Sequence, residues 1–101
     1  MSILGKWQQP PGQAFPGVWF QFNADGTFRA EYEDMGVDSS GTYTLNGDQI
    51  DMDQTAHSFG MVGKFLGWWR VEGEVLYMIM GQTNGARPAD MSGARMYKKI
   101  G

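Results

Sequence analysis

Any chemistry in this 101-residue chain would have to start from its one histidine, His57. An imidazole can serve as a general base or a metal ligand near neutral pH, and Asp51 and Asp53 lie a few residues upstream. The surrounding pattern argues against both uses. Asp51 and Asp53 alternate with Ile50 and Met52, so a strand here turns both carboxylates to solvent. One histidine with no cysteine is a poor ligand set. The chain shows no Ser-His-Asp order, phosphate loop or paired-acid motif, and Asp25-Gly26 is turn chemistry rather than a calcium loop. The expectation is a non-enzymatic protein with no cofactor and no metal.

The methionines are the other unusual side chains. There are 8 of them, and Met52, Met78 and Met80 fall on apolar rows. An unbranched thioether fills irregular gaps in a core, and it also suits an adaptable apolar pocket. Eight-stranded barrels are often filled by their own side chains, so both uses stand at this point.

Composition narrows the class further. A formal net charge of −3 argues against a nucleic-acid partner, which normally meets a basic face. The only basic cluster is the terminal pair Lys98-Lys99. The absence of cysteine removes disulfides and thiolate chemistry. No apolar run reaches membrane-spanning length, and Met1-Ser2-Ile3-Leu4-Gly5 is too short and uncharged for a signal peptide. The default compartment is the cytoplasm, with the periplasm or exterior expected if a leader has been removed.

The elements that would position a site are strands. Fifteen Gly and fourteen aromatics (4 Trp, 4 Tyr, 6 Phe) suit short strands and tight turns. Period-two alternation recurs throughout. Phe28, Ala30 and Tyr32 oppose Arg29, Glu31 and Glu33, and Val18, Phe20 and Phe22 form another apolar row. Asn23-Ala24-Asp25-Gly26, Asn46-Gly47 and Glu72-Gly73 mark hairpin turns. The pattern predicts strands over 4–8, 17–23, 26–33, 41–46, 48–53, 61–71, 74–80 and 94–100. Residues 1–101 form one domain: an all-β, eight-stranded antiparallel up-and-down barrel.

In such a meander successive connections fall at alternating ends. The three tight turns share one end. The segments Gln9–Pro16, Asp34–Ser40, Gln54–Gly60 and Gly81–Gly93 are predicted as long loops around the other, open end. Gln9-Pro10-Pro11-Gly12 and Phe15-Pro16 stiffen the first of these into a candidate lid.

Gly5-Lys6-Trp7 resembles the Gly-x-Trp signature of lipocalins and the wider calycin superfamily. In order along the chain, Asp25-Gly26-Thr27-Phe28, Gly41-Thr42-Tyr43 and the Trp69 to Leu76 hairpin are similar to those of small bacterial lipocalin-like domains. The resemblance implies that Trp7 plugs the closed end beneath a late basic residue. Lys98 is the candidate for that role, with Arg95 nearer the mouth.

Barrel mouths are common ligand sites. The expected function is a binding protein holding a small hydrophobic or amphipathic ligand at the open end. Its candidate residues are Phe15, Met35, His57, Phe59 and Arg87 from the loops, with Phe20, Tyr32, Met52, Met78 and Met80 from the walls and interior. The alternative is an interaction or inhibitor-type barrel. It would use the rim loops or an outward apolar face of Trp19, Leu66, Trp68, Tyr77 and Ile79, with a homodimer as the simplest assembly.

Overall fold

A computed structural model describes residues 2–101. Eight strands follow one another around a closed antiparallel barrel: β1 (Gly5–Gln8), β2 (Trp19–Phe22), β3 (Thr27–Tyr32), β4 (Val37–Asn46), β5 (Gln49–His57), β6 (Gly63–Glu72), β7 (Val75–Met80) and β8 (Arg95–Lys99). Closure comes from β1 pairing with β8, Trp7 opposite Lys99. The one helical piece among the described residues is a 3-10 turn, Glu33–Met35. None of their helices is long and apolar enough to cross a membrane.

The alternation read from sequence matches the two faces of the wall. Val71 pairs with Leu76 and Trp69 with Met78, and these side chains point to the interior. Trp7, Phe22, Phe28, Ile50, Leu76 and Met78 are almost fully buried there, and Phe20, Phe65, Trp69 and Met80 pack against them. The barrel below its mouth is therefore filled.

Two hairpin turns sit one residue later than predicted. They are Gly47-Asp48 and Gly73-Glu74, each with φ of 61° at the glycine and an ordinary φ at the next residue. That is the Gly-first arrangement of a II′-type turn. Sliding the turn by one residue shifts the pairing by two, so every side chain keeps its face. The Asp25-Gly26 turn is fastened by its own side chains. The Asp25 carboxylate accepts from the Thr27 amide at 3.0 Å and its hydroxyl at 2.6 Å, which together hold the carboxyl below its ordinary pKa.

The expected ring of four long loops is corrected. Val37–Ser40 and Gln54–His57 belong to β4 and β5, leaving only residues 33–36 and 58–62 as connections there. A bulge hides the far half of β5 from the sequence pattern: Ser40 faces Ala56 but Gly41 faces Gln54, so Thr55 is extra and period-two alternation breaks at that point. The first part of β4 is hidden for another reason, since Val37-Asp38-Ser39-Ser40 has the composition of a loop. Two long connections remain at the open end, residues 9–18 and 81–94.

At the closed end, Trp7 is buried and its Nε1 donates to the Ile3 carbonyl at 2.8 Å. The cation above it is Lys99, with Nζ 5.6 Å from the ring, and not Lys98. Lys98 pairs with Gln8 and shares the outward parity of that residue.

Candidate functional site

The inward rows of β2, β7 and β8 end at the mouth with Phe20, Met80 and Arg95. There the first long connection crosses above them and leaves a cleft of about 390 Å³. Phe20, Met78 and Met80 line its walls, Val18 and Phe15 come from the crossing segment, and Gln9, Arg95 and Tyr97 supply polar atoms. Apolar walls with a few convergent polar groups are the usual make-up of a small-molecule site, and this volume is at the small end of the range of about 300–1,000 Å³.

Gln9 organises the cleft. It follows Trp7 by two residues, so the same alternation carries its side chain inward, where only 2% of it is exposed. Its Nε2 donates to the Tyr97 hydroxyl at 3.1 Å, and its Oε1 accepts the Phe15 amide at 2.9 Å. One side chain thus ties the barrel wall to the crossing segment. The Met96 amide donates to Gln13 Oε1 at 2.9 Å and fixes the same segment a second time. Phe15 itself stays exposed, 6.1 Å edge-on from Tyr32 and 5.0 Å from the Arg95 guanidinium. Burial pushes the Tyr97 hydroxyl above its ordinary pKa, against smaller opposing effects from the Gln9 hydrogen bond and the Arg95 charge.

Of the residues singled out from sequence, Phe15, Phe20, Met78 and Met80 meet in this cleft, and Tyr32 adjoins it through Phe15. Met52 is instead buried on β5 between β4 and β6, away from the mouth cleft, and borders a separate groove of about 370 Å³ walled by Thr42, Thr44, Asp53 and Lys64. Met35 and Phe59 project from the 33–36 and 58–62 connections, 61% and 69% exposed. His57 lies at the end of β5, where its Nδ1 accepts the Phe59 amide at 3.0 Å and its ring stands 5.9 Å from Phe59. Among the described residues no three His, Asp or Glu side chains are grouped to hold a metal ion.

Arg87 is not at the mouth, and its expected position is corrected. The connection 81–94 folds down the outside of the barrel, and Arg87 lies flat on β5 and β6. Its Nη1 donates to Gly67 O at 2.6 Å and Ile50 O at 3.3 Å, and its Nη2 to Asp51 at 2.6 Å. The Trp68 indole N–H donates to Pro88 O at 2.7 Å, fastening the same strap. Gly81 begins it, its amide donating to Leu66 O at 2.8 Å.

That strap also alters the outward apolar face. Leu66, Trp68, Tyr77 and Ile79 point outward as expected, but all are half-buried. Trp68 lies under Arg87 and Pro88, and Gly93 passes over Ile79. Tyr77 is covered by Arg70, 4.9 Å from its ring. Trp19 on β2 is only 8% exposed, beneath Lys6 Nζ at 4.0 Å and, further off, Arg29. Each outward aromatic is thus roofed by a cation, and the contiguous exposed face expected from sequence is not formed.

Gln9, Val18, Arg95 and Tyr97 were not among the candidate ligand residues. Alternation running on from Trp7, and back from Tyr97 to Arg95, was the available signal for three of them. Its meaning depended on where the long connections pass. No family model, curated protein or solved structure matches the chain.

Proposed function

We propose that the protein binds a small hydrophobic or amphipathic molecule in the mouth cleft, without catalysing a reaction. The carrying observation is the cleft itself: Phe20, Val18, Met78 and Met80 form an apolar wall at the one end where the barrel is not filled. Trp7 under Lys99 at the opposite end supports the lipocalin-like reading of the fold. The test is a fluorescence titration with the neutral apolar dye N-phenyl-1-naphthylamine. The native protein is expected to enhance dye emission saturably, and Val18→Trp, which fills the cleft, to abolish the enhancement. Equal binding by the two proteins overturns this site.

One observation favours a second reading, an interaction or inhibitor-type barrel. Phe59, Met61 and Val62 stand exposed together on the 58–62 connection, away from the cleft. A rim of that kind suits a protein partner or a second copy of the chain. Light scattering of native and Phe59→Ser protein checks the self-association form. A monomer in both cases removes it.

A further inference from the structure

We propose that the occupant of the mouth cleft is an organic monoacid, its carboxylate held by the Arg95 guanidinium and the Tyr97 hydroxyl and its apolar part lying on Phe20, Met78 and Met80. The inference rests on the cleft being a binding site and adds the charge and chemical class of what enters it.

The first observation concerns the four arginines. Arg29 pairs with Asp38 at 3.1 Å, Arg70 with Glu72 at 3.2 Å and Arg87 with Asp51 at 2.6 Å. Among the described residues Arg95 alone has no carboxylate within 4.0 Å. It is also the one arginine on an inward row, opposite Met78 and two residues before the buried Tyr97. None of the residues lining the cleft is acidic. A half-buried arginine on an inward row, lining an apolar cleft with no carboxylate against it, is free to offer its charge to an entering anion.

The second observation concerns hydrogen-bond polarity. The Tyr97 oxygen already accepts from Gln9 Nε2, so what it has left to offer is its own proton. Burial keeps that proton on, by raising the hydroxyl's pKa. The Gln9 carbonyl oxygen already accepts from the Phe15 amide. The side-chain groups in the cleft with protons still to give are the guanidinium and the phenol. A site rich in free donors and without a carboxylate favours an anion.

Charge and geometry narrow the class. One planar fork plus one hydroxyl matches the two oxygens and single charge of a carboxylate. A phosphomonoester brings about 1.5 to 2 negative charges and three acceptor oxygens, more than these groups satisfy. The Arg95 guanidinium also lies 5.0 Å from the Phe15 ring, so the side chain is already held at the cleft and loses little freedom on binding.

The test is calorimetric titration with two matched pairs, octanoate against octanamide and 1-naphthylacetate against 1-naphthylacetamide. The native protein is expected to bind each acid about tenfold or more tighter than its amide, as for hydrogen bonds to a charged group. Arg95→Met should erase that preference and leave the amides within about twofold, while Arg95→Lys keeps part of it. Tyr97→Phe should weaken the acids severalfold and the amides little. Equal affinity for acid and amide in the native protein, or an equal loss of both in Arg95→Met, overturns the monoacid inference while leaving the cleft a binding site. Failure of all four compounds to bind at millimolar concentration overturns the cleft reading and this inference with it. The native-protein comparison decides the question even if the Arg95 variants fold poorly.

Discussion

Replacing Arg87 by Met should release the 81–94 strap from the outside of the barrel, and its cost follows from the contacts. Arg87 donates to two backbone carbonyls, Gly67 O and Ile50 O, and to Asp51. The carbonyls keep other partners when it is gone. The Trp69 amide donates to Asp48 O, so the register pair two residues on, Ile50 with Gly67, is also a hydrogen-bonded pair. No carbonyl is orphaned and each keeps a second donor, so each lost bond is worth about 1 kcal/mol, the ordinary net value of an intramolecular hydrogen bond. The Asp51 pair is half-exposed on the carboxylate side and adds less than about 1 kcal/mol after screening. Contact of the guanidinium with the Trp68 ring adds about 0.5 kcal/mol. The sum is about 2.5–3.5 kcal/mol, which for a domain of this size lowers Tm by roughly 10–28 °C. Asp51→Asn, which removes only the exposed pair, should cost under about 1 kcal/mol. Thermal unfolding of both variants, with hydrogen exchange at the Trp68 indole and the Gly81 amide, reads the effect. If Arg87→Met melts within about 3 °C of the native protein, or Asp51→Asn loses as much as Arg87→Met, the account of the strap is wrong.

Gly67 is buried, and a Cβ there would run into the Ile79 carbonyl oxygen and the Met80 sulfur, so Gly67→Ala should cost about 2 kcal/mol or more, read as a lowered urea midpoint at unchanged m. Gln9→Ala strands a buried Tyr97 hydroxyl and frees the Phe15 amide; a loss of about 1–3 kcal/mol is expected, with faster hydrogen exchange over residues 10–17. Because burial raises the Tyr97 pKa in the folded state, its contribution is intact below the unfolded value of about 10 and is lost as pH rises through the folded value. Tyr97→Phe should therefore flatten part of the alkaline limb in a plot of stability against pH, and an unchanged limb counts against the assignment. Asp25 titrates in the opposite sense: its lowered pKa gives stability present above the unfolded value of about 3.9 and lost as pH falls through the folded one, so Asp25→Asn should be less acid-sensitive below pH 4.

Strand identity and facing were legible in the chain because a half-buried antiparallel strand imposes a two-residue period on side-chain polarity. Phe28-Ala30, Ile50-Met52 and Leu76-Met78-Met80 carry that period without interruption, and all of them reach the interior. The same rule failed where it was locally broken. The extra residue at Thr55 and the serines before Gly41 hid the far halves of β4 and β5, and two apparent loops were in fact strand. The site was half legible: Phe15, Phe20, Met78 and Met80 were marked, while Gln9, Val18, Arg95 and Tyr97 were not.

By itself the sequence determined an all-β chain, the order of its strands, the facing of its apolar rows and which end is closed by tight turns, though not the facing of the last lysines, where Lys99 and not Lys98 covers Trp7. These follow from short-range rules: alternation, turn residues and the meander. Only the tertiary structure decided where the two long connections go, since nothing local dictates their path. The 9–18 segment arches over the mouth because the buried Gln9 and the half-buried Gln13 hold it there, and with it Phe15 comes to lie against Arg95. The 81–94 segment turns down the outer wall because Arg87 finds backbone carbonyls of β5 and β6 and Trp68 finds Pro88. Each contact joins residues far apart in sequence, and it is these that leave Arg95 unpaired at the mouth while Arg87 is spent on the wall.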